Sequence, residues 1–229
     1  MHVPDGFLNL PTSLATGAAA AVVIGVALRG AARELDDRSA PMGGLVATFV
    51  FAGQMMNFPV GAGTSGHLLG GALAATLVGP WMGILCVSVV IIVQALFMAD
   101  GGITALGSNI LLMAVLTVVV ATGVNRLLLM ALPRRAGVVA PVAGVSAFVS
   151  VVTAAAAFSM LFVVGGNSAV EPSLLFKAMV GWHVLIGLGE GVITALIVGG
   201  VVALRPDLVW AARPVLSNRT LELRNEVAR

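Results

Sequence analysis

Charged side chains are scarce in this sequence. Together, 12 Lys and Arg and 10 Asp and Glu make up 10% of its 229 residues, where a soluble domain carries about 25%. Hydrophobic residues account for 59%, and the mean hydropathy is +1.07. A soluble fold of this length cannot bury so much apolar surface. The composition therefore excludes a cytosolic enzyme or a nucleic-acid-binding protein and indicates an integral membrane protein surrounded by lipid.

Cysteine and lysine are almost absent. The single cysteine, Cys86, lies in an apolar run, so the sequence has neither a disulfide framework nor a Cys-based metal site. The single lysine, Lys177, is followed by Ala178, which excludes a GxxxxGK[ST] phosphate-binding loop. We therefore expect this chain not to be an enzyme, and any ATP hydrolysis that drives it must take place on another chain.

The charge-free stretches predict seven membrane-spanning helices. A spanning helix needs about 20 residues, so the 61 charge-free residues from 39 to 99 must be divided. Residues 59–66 form a glycine-rich loop by composition, and Gly79-Pro80 is a second break because proline disrupts a helix interior. The predicted spans are about 12–29, 42–58, 67–79, 81–99, 107–128, 137–165 and 177–204.

The distribution of positive charge predicts the orientation. Cytoplasmic loops are enriched in Lys and Arg. Seven crossings leave Lys177 alone on one side and place on the other side Arg29, Arg33, Arg38, Arg126, Arg134, Arg135, Arg205, Arg213, Arg219, Arg224 and Arg229. We therefore expect an all-α bundle in the cell membrane, with the N-terminus outside and the C-terminus in the cytoplasm. It comprises one transmembrane domain, residues 1–204 with an N-terminal loop at 1–11, and a cytoplasmic tail, 205–229.

All three histidines fall toward the predicted outer half. His2 and His67 belong to the exterior side, and His183 lies about two turns inside the seventh span. Histidine in a membrane helix is costly, which favours a functional role. The first residues lack the positive n-region of a cleaved signal peptide. Since His2 is large, we also expect Met1 to be retained with a free α-amine.

Met1, His2 and His67 form a candidate metal site. The α-amine, the next backbone nitrogen and the His2 imidazole can chelate one ion through fused five- and six-membered rings, and His67 can supply a fourth nitrogen. Such a near-planar nitrogen set suits Ni(II) or Cu(II), whereas Mg²⁺ or Ca²⁺ prefers carboxylates.

Other intramembrane polar residues are predicted to surround these ligands. Asn57 and Asn109 lie near the outer end and can hold the N-terminal loop or orient a ligand imidazole. Ser65 and His183 are further candidates for contact with the site. Glu190 follows His183 by two helical turns and shares its face, so a buried His–Glu contact is the first expectation and a place on the transport path is the alternative.

Three segments carry a family resemblance: MHVPDGFL at 1–8, MNFPVGAGTSGHLLGGALAATLVGPW at 56–81 and DGGITALGSNI at 100–110. They resemble the CbiM/NikM family, the substrate-binding membrane subunits (S components) of energy-coupling factor transporters for cobalt and nickel. The resemblance implies metal binding through the amine of Met1, the backbone and side chain of His2, and His67 of the SGH motif. The metal is then the transported substrate, Co²⁺ or Ni²⁺, and no cofactor is implied.

The resemblance also implies partners. These are a coupling membrane subunit (T component), two ATP-binding cassette ATPases and, in many members, a small two-helix companion subunit. Cobalt and nickel members both exist, so the choice of metal stays open.

Two other functions are compatible with parts of the sequence. Gly63-Thr64-Ser65-Gly66, with His183 in a later helix, resembles the serine–histidine pair of rhomboid-type intramembrane proteases, in which the histidine acts as a general base. A stand-alone secondary metal transporter, driven by an ion gradient, is the second alternative.

Overall fold

The computed structural model describes residues 1–34, 39–61 and 64–215, and most of them are helical. In chain order the elements are α1 Leu10–Glu34, α2 Ser39–Gln54, β1 Phe58–Gly61, β2 Thr64–Gly66, α3 Gly71–Val78, α4 Pro80–Phe97, α5 Leu106–Asn109, a π-helical segment Ile110–Leu116, α6 Thr117–Ala131, a 3-10 turn Ala136–Val138, α7 Val139–Gly165, α8 Pro172–Leu204, and the 3-10 turns Pro206–Leu208 and Trp210–Ala212.

Five helical segments of the described residues are long and apolar enough to cross a membrane. They are Leu10–Glu34, Pro80–Phe97, Leu106–Ala131, Ala136–Gly165 and Pro172–Leu204, and they correspond to predicted spans one, four, five, six and seven. The helix at the second predicted span is shorter, with its apolar part at Ala40–Gln54. The helices form because these stretches are mostly apolar and proline stands only at or near their ends.

The third predicted span is only partly helical. A helix over 67–79 was expected, but α3 has 8 residues, a length of about 12 Å, and residues 67–70 are irregular. Gly70 has a left-handed backbone with φ of 78°, which ends any helical run before it. The number of crossings and the orientation of the termini stay predictions.

The described parts of the glycine-rich segment 59–66 lie in two short β-strands rather than in a loop, which corrects the all-α expectation. β1 and β2 pair antiparallel, with Phe58 opposite Gly66 and Pro59 opposite Ser65. Proline and closely spaced glycines disfavour a helix here, and strand pairing supplies the backbone hydrogen bonds that a segment packed in a membrane bundle needs. Val60 of β1 is buried.

Contacts between distant segments define one end of the bundle. The ring of Trp81 packs against Gly30, and the ring of Trp210 packs against Gly79. The guanidinium of Arg126 lies 5.9 Å from the centre of the Trp210 ring. Val209 and Ala212 are fully buried, so the first part of the predicted tail packs on the bundle. The arginines of the charge argument that lie outside the described residues are Arg38, Arg219, Arg224 and Arg229.

The long helices α7 and α8 pack closely against each other. A Cβ atom added at Gly144 would lie 2.8 Å from the carbonyl oxygen of Gly191, and one added at Gly191 would lie 2.8 Å from that of Gly144. Small residues let helix backbones approach in this way within membranes. The packing holds α8 in place with His183 and Glu190 buried in the protein.

Candidate functional site

The N-terminal loop is folded into the protein. It comprises residues 1–9, because α1 begins two residues earlier than the predicted loop boundary. Met1 is 0% exposed. The Phe7 ring packs against Phe158 and Phe162, with centroid distances of 5.7 and 4.8 Å. Asn9 donates a backbone hydrogen bond of 2.7 Å to Gly165. The loop is therefore held by apolar packing and by backbone pairing.

Asn109 holds the residue that follows His2. The backbone N–H of Val3 donates to Asn109 Oδ1 at 2.7 Å, and Asn109 Nδ2 donates to the Val3 carbonyl at 3.1 Å. The N–H of Gly102 donates to the same carbonyl at 2.8 Å. Asn109 is fully buried at the end of α5. These bonds fix the backbone of the loop immediately beside the first two residues.

Residues 100–104 hold the N-terminal loop through hydrogen bonds and through glycines that leave space for it. Thr104 donates to Asp5 Oδ1 from its backbone N–H at 2.8 Å and from its hydroxyl at 2.5 Å, and these bonds lower the pKa of the Asp5 carboxyl. Gly101 has φ of 94°, and a Cβ there would lie 3.0 Å from His2 Cδ2. A Cβ on Gly102 would collide with the backbone of Asp5. Larger residues would therefore displace the loop.

The α-amine of Met1 is in a form that can bind a metal. Burial lowers its pKa from 8.0 to about 4, although the nearby Asp100 carboxylate acts in the opposite direction. At neutral pH the amine therefore carries no proton on its lone pair. A free amine on the protein surface would be largely protonated under the same conditions.

The imidazoles of His2 and His67 stack on each other. Their ring centres are 4.7 Å apart with an angle of 29° between the planes, and the residues are 4% and 1% exposed. His67 Nδ1 lies 2.8 Å from the Leu68 carbonyl, which fixes that nitrogen as the donor and leaves the lone pair on Nε2. Among the described residues, Nε2 of each ring and Nδ1 of His2 are buried without a hydrogen-bond partner.

Asp100 contacts the other nitrogen of His2. His2 Nδ1 lies 3.0 Å from Asp100 Oδ1, and this contact, more than any other, holds the pKa of the Asp100 carboxyl below its usual range. Asn57 Nδ2 donates to the two Asp100 oxygens at 3.4 and 3.3 Å. Asn57 is exposed, and its bonds place it beside the carboxylate that contacts His2. That Asn57 holds the loop or orients a ligand imidazole stays a prediction.

The remaining predicted residues lie at different distances from this cluster. His183 is fully buried, its Nδ1 is 2.7 Å from the Met179 carbonyl, and its Nε2 has no hydrogen-bond partner. Ser65 lies half-buried in β2. Within the described part of the chain, Ser65 and His183 share no hydrogen bond, so the pair expected of a rhomboid-type protease is not formed.

Glu190 has other hydrogen-bond partners than the sequence predicted, and the contacts of Gln54 were not predicted. Within the part of the chain that the structure describes, no hydrogen bond joins His183 to Glu190, so the expected contact is not observed. Instead, the Glu190 carboxylate accepts bonds from the backbone N–H groups of Leu69 at 2.6 Å and Gly70 at 2.8 Å. Gln54 donates to the Leu69 carbonyl at 2.8 Å. An acidic and an amide side chain in apolar helices indicate that each needs a hydrogen-bond partner. The sequence does not show which groups those partners are.

Side chains alone do not make a metal site here. Among residues 1–34, 39–61 and 64–215, no three His, Cys, Asp or Glu side chains are grouped so that they could hold a metal ion. The Met1 amine and the His2 backbone nitrogen are further candidate donors beside the two imidazoles. Both of these are available at the buried N-terminus.

Comparison with known proteins places the chain in a family. Residues 2–208 match the model of CbiM, the cobalt uptake substrate-specific transmembrane region. A Haloquadratum walsbyi protein named as a metal transport protein is 39% identical over 92% of this chain and 94% of its own. The cobalt transport protein CbiM of Sorangium cellulosum is 35% identical over 91% and 94%.

Two further similarities agree with this. A protein of Archaeoglobus fulgidus named as a fused nickel transport protein NikMN is 36% identical over 91% of this chain and 68% of its own. The crystal structure of a truncated transition metal transporter superimposes with a TM-score of 0.80 at 29% identity, covering 86% of this chain and 96% of that one. The chain therefore belongs to the CbiM family.

Proposed function

We propose that this chain captures Co²⁺ or Ni²⁺ through Met1, His2 and His67 and serves as a transport subunit for that ion. The observation that carries the proposal is the buried N-terminus, where Met1 and the two stacked imidazoles lie together and where, among the described residues, His2 Nδ1 and His67 Nε2 have no hydrogen-bond partner. Buried polar atoms without partners are rare in proteins and call for an explanation. A bound cation supplies one, and relatives named for cobalt, nickel and transition metals support the same substrate class.

The proposed ligand atoms differ in whether another group already contacts the nitrogen that would bind the metal. The Met1 amine and His67 Nε2 carry free lone pairs. Chelation by His2 through a six-membered ring uses Nδ1, which is beside Asp100 in this structure. Metal binding in that mode therefore replaces the Asp100–Nδ1 contact, and the Asp100 carboxylate stays nearby as a negative charge that favours a cation.

We propose seven crossings of the cell membrane, with the N-terminus outside and the C-terminus in the cytoplasm. The contact between Gly79 and Trp210 supports this, because it places the end of α3 beside the segment that follows α8. The four residues 67–70 together with α3 are then the third crossing. The strong excess of arginine on the segments assigned to the cytoplasm supports the orientation.

Thiol labelling tests this topology. We expect Ile103→Cys to react with an impermeant thiol reagent in intact cells and Ala131→Cys to react only after permeabilisation, since both positions are exposed but are assigned to opposite sides. Cys86 is buried and its Sγ donates to the Gly43 carbonyl, so the native chain serves as an unlabelled control. Labelling of Ala131→Cys from outside would contradict seven crossings.

Energy for transport is proposed to come from separate chains. The sequence has no phosphate-binding lysine loop, so we propose a coupling membrane subunit and two ATP-binding cassette ATPases as partners, with a two-helix companion in the manner of many family members. The chain itself is not an enzyme in this account. It binds the ion, and its partners supply the energy for transport.

Uptake by cells that express the chain alone tests this division of labour. We expect metal binding with little or no concentrative uptake, and we expect uptake to appear when the partner subunits are co-expressed. Cells that carry an empty vector are the control. Robust accumulation by the chain alone, abolished by collapsing the ion gradient, would instead favour a secondary transporter.

A further inference from the structure

A buried hydrogen-bond clamp holds Leu69 and Gly70, the second and third residues after His67. Its carboxylate is Glu190 of α8, which accepts from the N–H groups of Leu69 and Gly70 at 2.6 and 2.8 Å. Its amide is Gln54 of α2, which donates to the Leu69 carbonyl at 2.8 Å. The exposed fractions of Glu190 and Gln54 are 2% and 0%. We call these two side chains and their three bonds the clamp.

The clamp is adjacent to the bond that sets the His67 ring. His67 Nδ1 lies 2.8 Å from the Leu68 carbonyl, and the peptide that carries this carbonyl also carries the Leu69 N–H that Glu190 accepts. The orientation of one peptide unit therefore decides both contacts. With Nδ1 fixed as a donor, Nε2 keeps its lone pair and lies buried with no hydrogen-bond partner in the described part of the chain.

Backbone geometry makes this segment dependent on the clamp. Gly70 has φ of 78°, and a Cβ there would lie 2.6 Å from a methyl carbon of Val50. Residues 67–70 belong to neither a helix nor a strand, so their backbone groups have no regular ladder to satisfy them. Buried N–H groups need such partners, and Glu190 supplies two of them from another helix.

We propose that Glu190, assisted by Gln54, is a positioning residue for the metal ligand His67. It fixes the peptide between Leu68 and Leu69 so that His67 presents Nε2 to the ion in one tautomer and one direction. Outer contacts that orient a histidine ligand change metal affinity by about 10- to 100-fold when they are removed. The inference rests on the proposed function, because it assigns His67 as a ligand.

A purely structural role is the competing explanation. Leu69 and Gly70 precede α3, and the first N–H groups of a helix always need acceptors. Glu171 provides a matched control, because its carboxylate also accepts from two backbone N–H groups, those of Ser173 and Leu174, at the start of α8. It is exposed and remote from His67 in the sequence. Only the positioning role predicts that replacing Glu190 changes the ligand field of the bound metal ion.

The experiment is a Ni(II) titration of the purified full-length chain with its native N-terminus, followed by visible absorption of the bound ion. Glu190→Gln removes one of the two acceptors at nearly constant volume. We expect it to lower Ni(II) affinity by about 10- to 100-fold and to shift the absorption toward that of His67→Ala. We expect Glu190→Asp, which keeps both oxygens, to recover part of the shift, and Glu171→Gln to leave affinity and absorption unchanged.

The outcomes separate the two proposals. If the native chain binds no Ni(II), the proposed function fails and the positioning role fails with it. If the native chain binds and Glu190→Gln retains its affinity and absorption, or loses only thermal stability, the positioning role alone is overturned. Should Glu190→Gln lose the folded bundle, Gln54→Leu removes only the donor to Leu69. We expect a smaller shift in the same direction, and an unchanged absorption there overturns the inference equally.

Discussion

A chain extended before Met1 is expected to lose high-affinity metal binding, although none of its side chains is changed. Extension converts the α-amine to an amide and removes its basic lone pair. Met1 is 0% exposed, so added residues also cannot be accommodated while the N-terminal loop is docked. The measurement is the nickel content of purified protein after dialysis against Ni²⁺, for the native and the extended chain.

The matched control is the same extension placed after Arg229. That end belongs to the segment assigned to the cytoplasm, so its metal content should equal that of the native chain. An N-terminally extended chain that retains a full equivalent of nickel would show that the amine is not a ligand.

His2→Ala and His67→Ala are expected to damage binding as severely as the extension does. Each removes one of about four donors, so the loss should exceed the roughly 10- to 100-fold typical of an outer contact. His183→Ala is the matched control, since it also deletes a fully buried imidazole but leaves the proposed donors in place. The measurement is the Ni(II) dissociation constant of each variant by competition with a chelator.

The ranking of these variants is the decisive feature. We expect His183→Ala to bind Ni(II) more tightly than either of the other two. If its loss equals or exceeds that of His67→Ala, His183 is a ligand and the proposed donor set is wrong.

The components of the candidate site could be predicted from the sequence because they have unusual chemistry. Met1, which is expected to be retained, and His2 are contiguous in the chain, and His67 is conspicuous in a sequence with three histidines. The structure places the His2 and His67 rings in contact. That they bind a metal stays a prediction.

The supporting contacts could not be predicted, because they depend on where backbone groups find partners. Hydropathy marks α2 and α8 as apolar helices, but it does not reveal that Gln54 and Glu190 hold the segment after His67. In the same way, composition identified residues 59–66 as irregular, while the pairing of Phe58 with Gly66 arises only when the chain folds back on itself.

The predicted length of the third helix, residues 67–79, was wrong for a related reason. Residues 67–79 are apolar and free of charge, so their composition predicts one continuous span. The left-handed backbone at Gly70 and the bonds to Glu190 belong to tertiary structure, and they delay the start of the helix to Gly71. A pattern that averages over a dozen residues does not resolve such a local interruption.

X-ray absorption spectroscopy of Ni(II) bound to the native chain tests the central claim most directly. The account predicts four nitrogen donors in a near-planar arrangement, with scattering from two imidazole rings and with no sulfur or carboxylate oxygen. A six-coordinate ion with mostly oxygen donors, or one with fewer than two imidazoles, would contradict binding by Met1, His2 and His67.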